Sequence, residues 1–378
     1  MRRKIKHIIT RLTCLCALIF LTGCIKMGMP EGEVPDETVE TVSADQSNSK
    51  KAETAVLGFV SRLKAGDYNG LSESIYLPEG AFIFQEDLEW FLPRSQVGEI
   101  ISSEEEISGI TVSGTAIEKT VSFTFGSGQY ALDLRLGNDN LWKIILDGLY
   151  VENWSLRIPA GCTLTVDEKN VDGYRRDLSS DQEYSVYTFP AIAAKTHRIA
   201  VTSSLYGRFT QEITPKSSSD TVPVICGIGE AETGNILRCI QIIWNGIYEA
   251  YTEGADVPDI RKYFVKDYDT NALTMLLKCN LPSLCTDAKN RGVTYRNFYL
   301  SAIEPWKKDN YGAATLAADN AVYVTFGYRL EFTDSEGNYH NCNKVTSLTV
   351  AYEGGTYRIR SLNDSTLFTY NNYQANDF

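Results

Sequence analysis

The run Val121-Ser-Phe-Thr-Phe-Gly126, then Tyr130-Ala-Leu-Asp-Leu-Arg-Leu136 and, past the turn Gly137-Asn-Asp-Asn140, Leu141–Leu146, alternates apolar with polar residues. Period two places every second side chain on one face of a pleated strand, so this text predicts a half-buried antiparallel meander. Upstream, Val56, Phe59, Val60 and Leu63 fall at i, i+3, i+4 and i+7, with Gly66 as a stop, the spacing of an amphipathic helix. Shorter helical segments follow at Leu71–Ile75 and at Glu86–Leu92, which closes at Pro93. Helices first and a meander second define an α+β domain, expected over residues 51–150.

The same order recurs over residues 232–378. Ile236, Ile240, Ile243, Trp244, Ile247 and Tyr251 hold helical spacing from a Thr233 cap to a Gly254 stop, and Asp259–Val265 and Thr270–Lys278 read as shorter helices. Val322, Val324, Phe326, Tyr328 and Leu330 then alternate, Asp334-Ser-Glu-Gly-Asn338 reverses the chain, and Leu348, Val350, Tyr352, Tyr357 and Ile359 complete a sheet around Gly354-Gly355. Val121-Ser-Phe-Thr-Phe-Gly126 aligns with Val322-Tyr-Val-Thr-Phe-Gly327, and Gly66-Asp67 with Gly254-Ala-Asp256, which points to a diverged internal duplication. Residues 151–215 hold only strand-like runs and turns: Trp154–Ile158, Leu164–Val166, Asp167-Glu-Lys-Asn170, Tyr184–Phe189 and His197–Thr202. That spacing suits a small β-sandwich. Residues 216–231, opening on Lys216–Asp220, read as a linker.

The N-terminus sets the compartment. Arg2, Arg3, Lys4, Lys6 and Arg11 precede an apolar run from Leu12 to Leu21, and Leu21-Thr22-Gly23-Cys24 closes it as a lipobox. The run is too short for a span of about 20 apolar residues. Residues 1–23 are therefore expected to be a lipoprotein signal peptide and Cys24 the lipidated residue, with acyl chains holding the protein on the outer face of the cell membrane. Residues 24–50, rich in Glu, Asp, Ser, Thr and Pro and without apolar periodicity, read as a disordered tether.

With helix, Ala65-Gly66-Asp67-Tyr68, more helix and then a curved antiparallel sheet, the chain resembles the NTF2-like family, in which a cone of sheet wraps over helices and encloses a pocket. Ile158-Pro-Ala-Gly161, Leu164-Thr-Val166 and Phe189-Pro190 resemble the small β domain that accompanies such modules in bacterial surface proteins of the TcaA/YvbJ type. The resemblance covers about residues 51–370 and implies two NTF2-like cones flanking a sandwich-like domain. The chain departs from those proteins in carrying a lipobox in place of an N-terminal zinc ribbon and an internal membrane helix.

Gly227-Ile-Gly229-Glu-Ala-Glu-Thr-Gly234 follows a strand-like Thr221–Cys226, but its spacing is wrong for G-x-G-x-x-G, Glu230 and Glu232 would face a pyrophosphate, and Pro223 interrupts the strand. Ser61-Arg-Leu-Lys64 and Ser47-Asn-Ser-Lys50 match S-x-x-K without a K-T-G strand. Asp267-Tyr-Asp269-Thr-Asn271 opens like a calcium loop but has Lys278 at the twelfth position, so a helix N-cap at Asp269 or Thr270 is the better reading. His197 and His340 lie far apart on strand-like text, and no metal or cofactor is expected. Six cysteines follow Cys24. Outside the membrane they allow fifteen complete pairings, with Cys279–Cys285 and Cys226–Cys239 the nearest in sequence and buried free thiols the alternative.

Lys and Arg total 36 against 48 Asp and Glu, and the signal peptide alone holds five of those cations and no acid. Such a chain lacks the basic patch of a nucleic-acid binder and should prefer basic or neutral partners. The sequence therefore predicts a non-enzymatic extracytoplasmic lipoprotein, anchored in the membrane by its N-terminal lipid and binding an envelope protein or cell-wall ligand. An enzyme working through an NTF2-like pocket, with Asp87, Glu89 and His340 as candidate groups, is the first alternative. A transporter-linked solute receptor is the second, though it would require alternating strands and helices.

Overall fold

The computed structural model describes residues 37–101, 103–176, 183–216, 221–254, 256–281, 292–306 and 312–362, and no side chains before residue 46 or at 279–280. Cys24 and Cys285 lie outside the described residues, as does the side chain of Cys279. The first helix, α1 (Glu37–Ala65), begins inside the stretch expected to be tether, and its described part buries Ala52, Val56, Phe59, Val60 and Leu63 along one stripe. It ends where Gly66 takes φ +65°, a left-handed turn that costs a Cβ-free residue little. Two short helices follow, α2 (Tyr68–Ser74) and α3 (Gln85–Phe91), then a single 3₁₀ turn at Leu92–Arg94 and α4 (Gly98–Ile101).

Against them packs an antiparallel meander in the order β1 (Ile107–Gly114), β2 (Glu118–Phe125), β3 (Gly128–Leu136) and β4 (Trp142–Ile145). Val121, Phe123 and Phe125 of β2, with Leu132 and Leu134 of β3, face α1 and form a core with Leu71, Leu88 and Ile100. The alternation that predicted these strands is the alternation that buries them.

The segment after Leu149 builds two four-stranded sheets. One pairs β5 (Tyr150–Pro159), β9 (Tyr184–Ala193) and the two-residue β8 (Arg175–Arg176) with β12 (Thr221–Pro223). The other is β6 (Thr163–Val166), β7 (Lys169–Asn170), β10 (His197–Ser203) and β11 (Gly207–Ile213). The stretch read as linker thus supplies β12, an edge strand parallel to β5, where Pro223 can stand without breaking a ladder.

Helix α5 (Glu230–Thr252) starts at N-cap Gly229, ahead of the expected Thr233 cap, and buries Ile236, Ile240, Ile243, Trp244, Ile247 and Tyr248. Short helices α6 (Val257–Arg261) and α7 (Thr270–Met275) follow, with Asp269 capping α7 by accepting from the Asn271 N–H at 2.9 Å. The last sheet runs β13 (Tyr295–Pro305), β15 (Ala321–Asp334), β16 (Tyr339–Glu353), β17 (Thr356–Leu362), with β14 (Ala314–Ala318) also on β15. Val322, Val324 and Phe326 occupy the second strand of the β13-β15-β16-β17 path, as Val121, Phe123 and Phe125 do in the first sheet. The matched glycines differ: Gly126 turns the chain at φ +60°, whereas Gly327 lies inside a strand that continues to Asp334. Described residues from both 151–215 and 232–362, parts of stretches expected as separate domains, join one continuous core. The whole is α+β with mostly antiparallel sheets. Among the described residues no helix is long and apolar enough to cross a membrane.

Candidate functional site: a tyrosine-lined cleft

Where β10 and β11 approach the entry to α5 and the β16–β17 hairpin, three chain segments line a cleft of about 470 Å³. The β10–β11 turn brings Leu205, Tyr206 and Phe209, the entry to α5 brings Ile228, Gly229 and Glu232, and the β16–β17 hairpin brings Tyr352 and Tyr357. Both turns are fixed. Ser203 Oγ donates to the Asp319 carbonyl at 2.9 Å and accepts from the Tyr206 N–H at 3.1 Å. The Asp319 carboxylate accepts from the Ser204 amide at 2.6 Å and from its hydroxyl at 2.5 Å. Partial burial works against charge on Asp319, but these Ser204 bonds outweigh it and hold its carboxyl below the ordinary range. On the other side, positive φ at Gly354 and Gly355 lets β16 reverse into β17 and sets Tyr352 edge-on to Tyr357, ring centroids 5.3 Å apart.

Inside the cleft the tyrosines form a short relay ending on a carboxylate. Tyr357 donates to Glu232 Oε1 at 2.6 Å, and the Tyr206 hydroxyl lies 3.2 Å from that of Tyr357. Burial, then the bond to Glu232, push the Tyr357 phenol far above its usual range, so it remains a donor at every physiological pH. Burial raises Tyr206 as well. The other Glu232 oxygen accepts from Asn235 Nδ2 at 3.1 Å, and among the described residues no cation pairs with it. Its place in the first turn of α5 suits a negative charge, because the free N–H groups there carry partial positive charge.

The residues singled out as candidate acid–base groups are not brought together. Asp87 is buried at the N-terminus of α3, accepting from the Phe84 N–H at 2.8 Å and meeting Lys195 Nζ at 2.5 Å. Glu89 is exposed and accepts from Gln85. His340 lies at the start of β16, stacked on Phe332, with Nε2 at 2.9 Å from Asp334 Oδ2. Cys226 and Cys239 are free thiols in the structure rather than the pair considered above; Cys226 is interior beside β14, while Cys239 lies on a half-buried face of α5. Burial raises Cys226 to about 11 and Cys162 to about 12, which leaves both as inert thiols at neutral pH. No group of three metal-ligating side chains occurs among the described residues.

The Asp334–His340 pair carries a pH prediction. The His340 bond, followed by those from Asn338 and the Glu336 amide, depresses the Asp334 carboxyl well below its ordinary value despite some desolvation. A carboxyl depressed on folding stabilises the fold fully above its unfolded value of about 3.9 and loses that contribution as pH falls below it. Asp334→Asn is expected to lower the melting temperature at pH 7, and the gap from the parent protein should narrow between pH 4 and pH 2. Calorimetry across that range checks it; a gap independent of pH would remove the loss of the Asp334 carboxylate as its cause.

No family model matches the sequence, and no curated relative matches it. One solved structure, described as an NTF2-like protein involved in plasmid conjugation, aligns with 79% of this chain and 92% of its own, at 9% identity and a TM-score of 0.20.

Proposed function

We propose that this is a membrane-anchored extracytoplasmic lipoprotein, non-enzymatic, in which two NTF2-like modules flank a β-sandwich and the cleft between the sandwich and the second module binds a protein or cell-envelope ligand. The observation that carries the binding role is the cleft itself: a concave site where aromatic and aliphatic side chains stand beside the hydroxyls of Tyr206 and Tyr357 and the Glu232 carboxylate. The lipobox ending at Cys24 supports the anchor. The modular reading rests on the repeated order of helices packed against an antiparallel meander, α1 on β1–β4 and α5 on β13–β17.

Two experiments test it. Metabolic palmitate labelling should mark the parent protein and retain it in the membrane fraction, while Cys24→Ala should be unlabelled and released. A photocrosslinking amino acid at Leu205, 47% exposed on the cleft rim, should capture an envelope component in intact cells, and one at the 62%-exposed Ile117 in the β1–β2 turn should not. Equal capture from both positions, or none from Leu205, would remove the cleft from the proposal.

A further inference from the structure

The cleft shows an unusual balance of charge. Its walls are aromatic and aliphatic, its one ionisable acid is Glu232, and none of its lining residues is cationic. Glu232 is half-buried and bonded only to neutral donors, the Tyr357 hydroxyl and the Asn235 amide, so its negative charge has no counter-ion among the described residues. Two neutral donors and the helix N-terminus hold that carboxylate in place, and an incoming cation adds the full counter-charge that none of them supplies. The faces of Tyr352, Tyr206 and Phe209 add the negative quadrupoles to which an ammonium group is drawn.

We infer that the cleft receives the ammonium group of a lysine side chain, presented by a basic peptide segment of an extracytoplasmic partner. The inference rests on the cleft being a binding site, as proposed above, and names what it selects. The ammonium would meet the free face of the Glu232 carboxylate while its methylene stem lies against Tyr352 and Leu205, both exposed at the rim. The Tyr357 donor fixes the orientation of that carboxylate before binding, which spares the entropy of ordering it. Formal net charge of −12 over the whole chain extends the preference beyond the cleft, steering a polycationic segment toward the protein and repelling anionic polymers.

Calorimetric titration of the full lipidated chain in neutral detergent micelles tests this with three probes: acetyl-trilysine amide, the same peptide acetylated on all three side chains, and chitotriose. Trilysine should bind, weakening as salt rises, and its acetylated form should bind at least tenfold more weakly. Glu232→Gln, which removes the charge and keeps one oxygen to accept from Tyr357, should lose at least fivefold, and Tyr352→Ala should lose a similar factor; unchanged melting temperatures would assign both losses to the site. Equal binding of the two peptides, or an unaffected Glu232→Gln, would overturn recognition of the charge. Chitotriose binding that depends on Tyr352 would overturn the lysine assignment while leaving the cleft a binding site. If no probe binds, or binding ignores Tyr352, the lysine inference fails, and Leu205 crosslinking decides separately whether the cleft reading fails with it.

Discussion

Phe82→Ala is expected to lower the unfolding free energy by about 3–5 kcal/mol, the range for emptying a buried aromatic site, and to uncouple the N-terminal unit from the rest of the protein. Phe82 lies between α2 and α3 in sequence, yet its ring belongs to the sandwich core rather than to the core beneath the first sheet. It is 2% exposed and meets Phe84, Phe189 and Tyr174 edge-on at centroid distances of 4.8, 5.3 and 5.6 Å. Its amide donates to the Ala191 carbonyl at 2.7 Å, forming a bridge to β9. The substitution keeps the amide that makes this bridge, so what it removes directly is packing. Parent protein should melt in one calorimetric transition and the variant in two, the earlier from residues 37–149. A single unshifted transition would mean that the ring does not join the two cores.

That junction was not legible in the sequence, and the reason is physical. Amphipathic periodicity reports which face of an element is buried, not which neighbour buries it. Strands whose alternation is regular were readable: β2 and β3, and the first half of β15, have their inward residues where period two puts them. Two of the strands that were missed, β1 and β13, are irregular. In β1 the register shifts between Ser108 and Thr111 around Gly109 at φ +63°, and β13 has two such shifts with Asn297 at φ +56° between buried Tyr295 and Phe298. Each bulge resets the alternation and erases the signal. The start of α1 at Glu37 was hidden because its first turns carry charged and polar residues without an apolar stripe.

The cleft was harder still to read. Its residues come from positions 205–209, 228–232 and 352–357, and only the packing of the sandwich against the C-terminal sheet assembles them. Two local hints were present: Glu230 and Glu232 stood where a phosphate-binding turn could not tolerate them, and two tyrosines flanked Gly354-Gly355. Of these two acids, Glu232 is the one that the fold turns into the cleft.

The other large effect is expected at Asp87, on the same connecting segment as Phe82. Its carboxylate is 4% exposed and caps α3 through the Phe84 N–H while pairing with Lys195 on the loop between β9 and β10. Behind Lys195 the polar chain continues: Asp167 Oδ2 is 3.9 Å from Nζ and 2.7 Å from His197 Nδ1, and the buried His197 ring places Nε2 at 2.8 Å from the Ala193 carbonyl. Asp87→Ala should cost about 3–5 kcal/mol, because it leaves a mostly buried ammonium with only the more distant Asp167 as counter-charge. Lys195→Met should cost a similar amount by stranding Asp87. The double variant should cost clearly less than the two together, since neither charge is then left without its partner. Urea unfolding of the four proteins gives that coupling directly, and strict additivity would mean the pair is a bystander. Asp87→Ala combined with Phe82→Ala should also fall short of additive, because once either contact opens the 82–87 segment the other has less native structure left to lose.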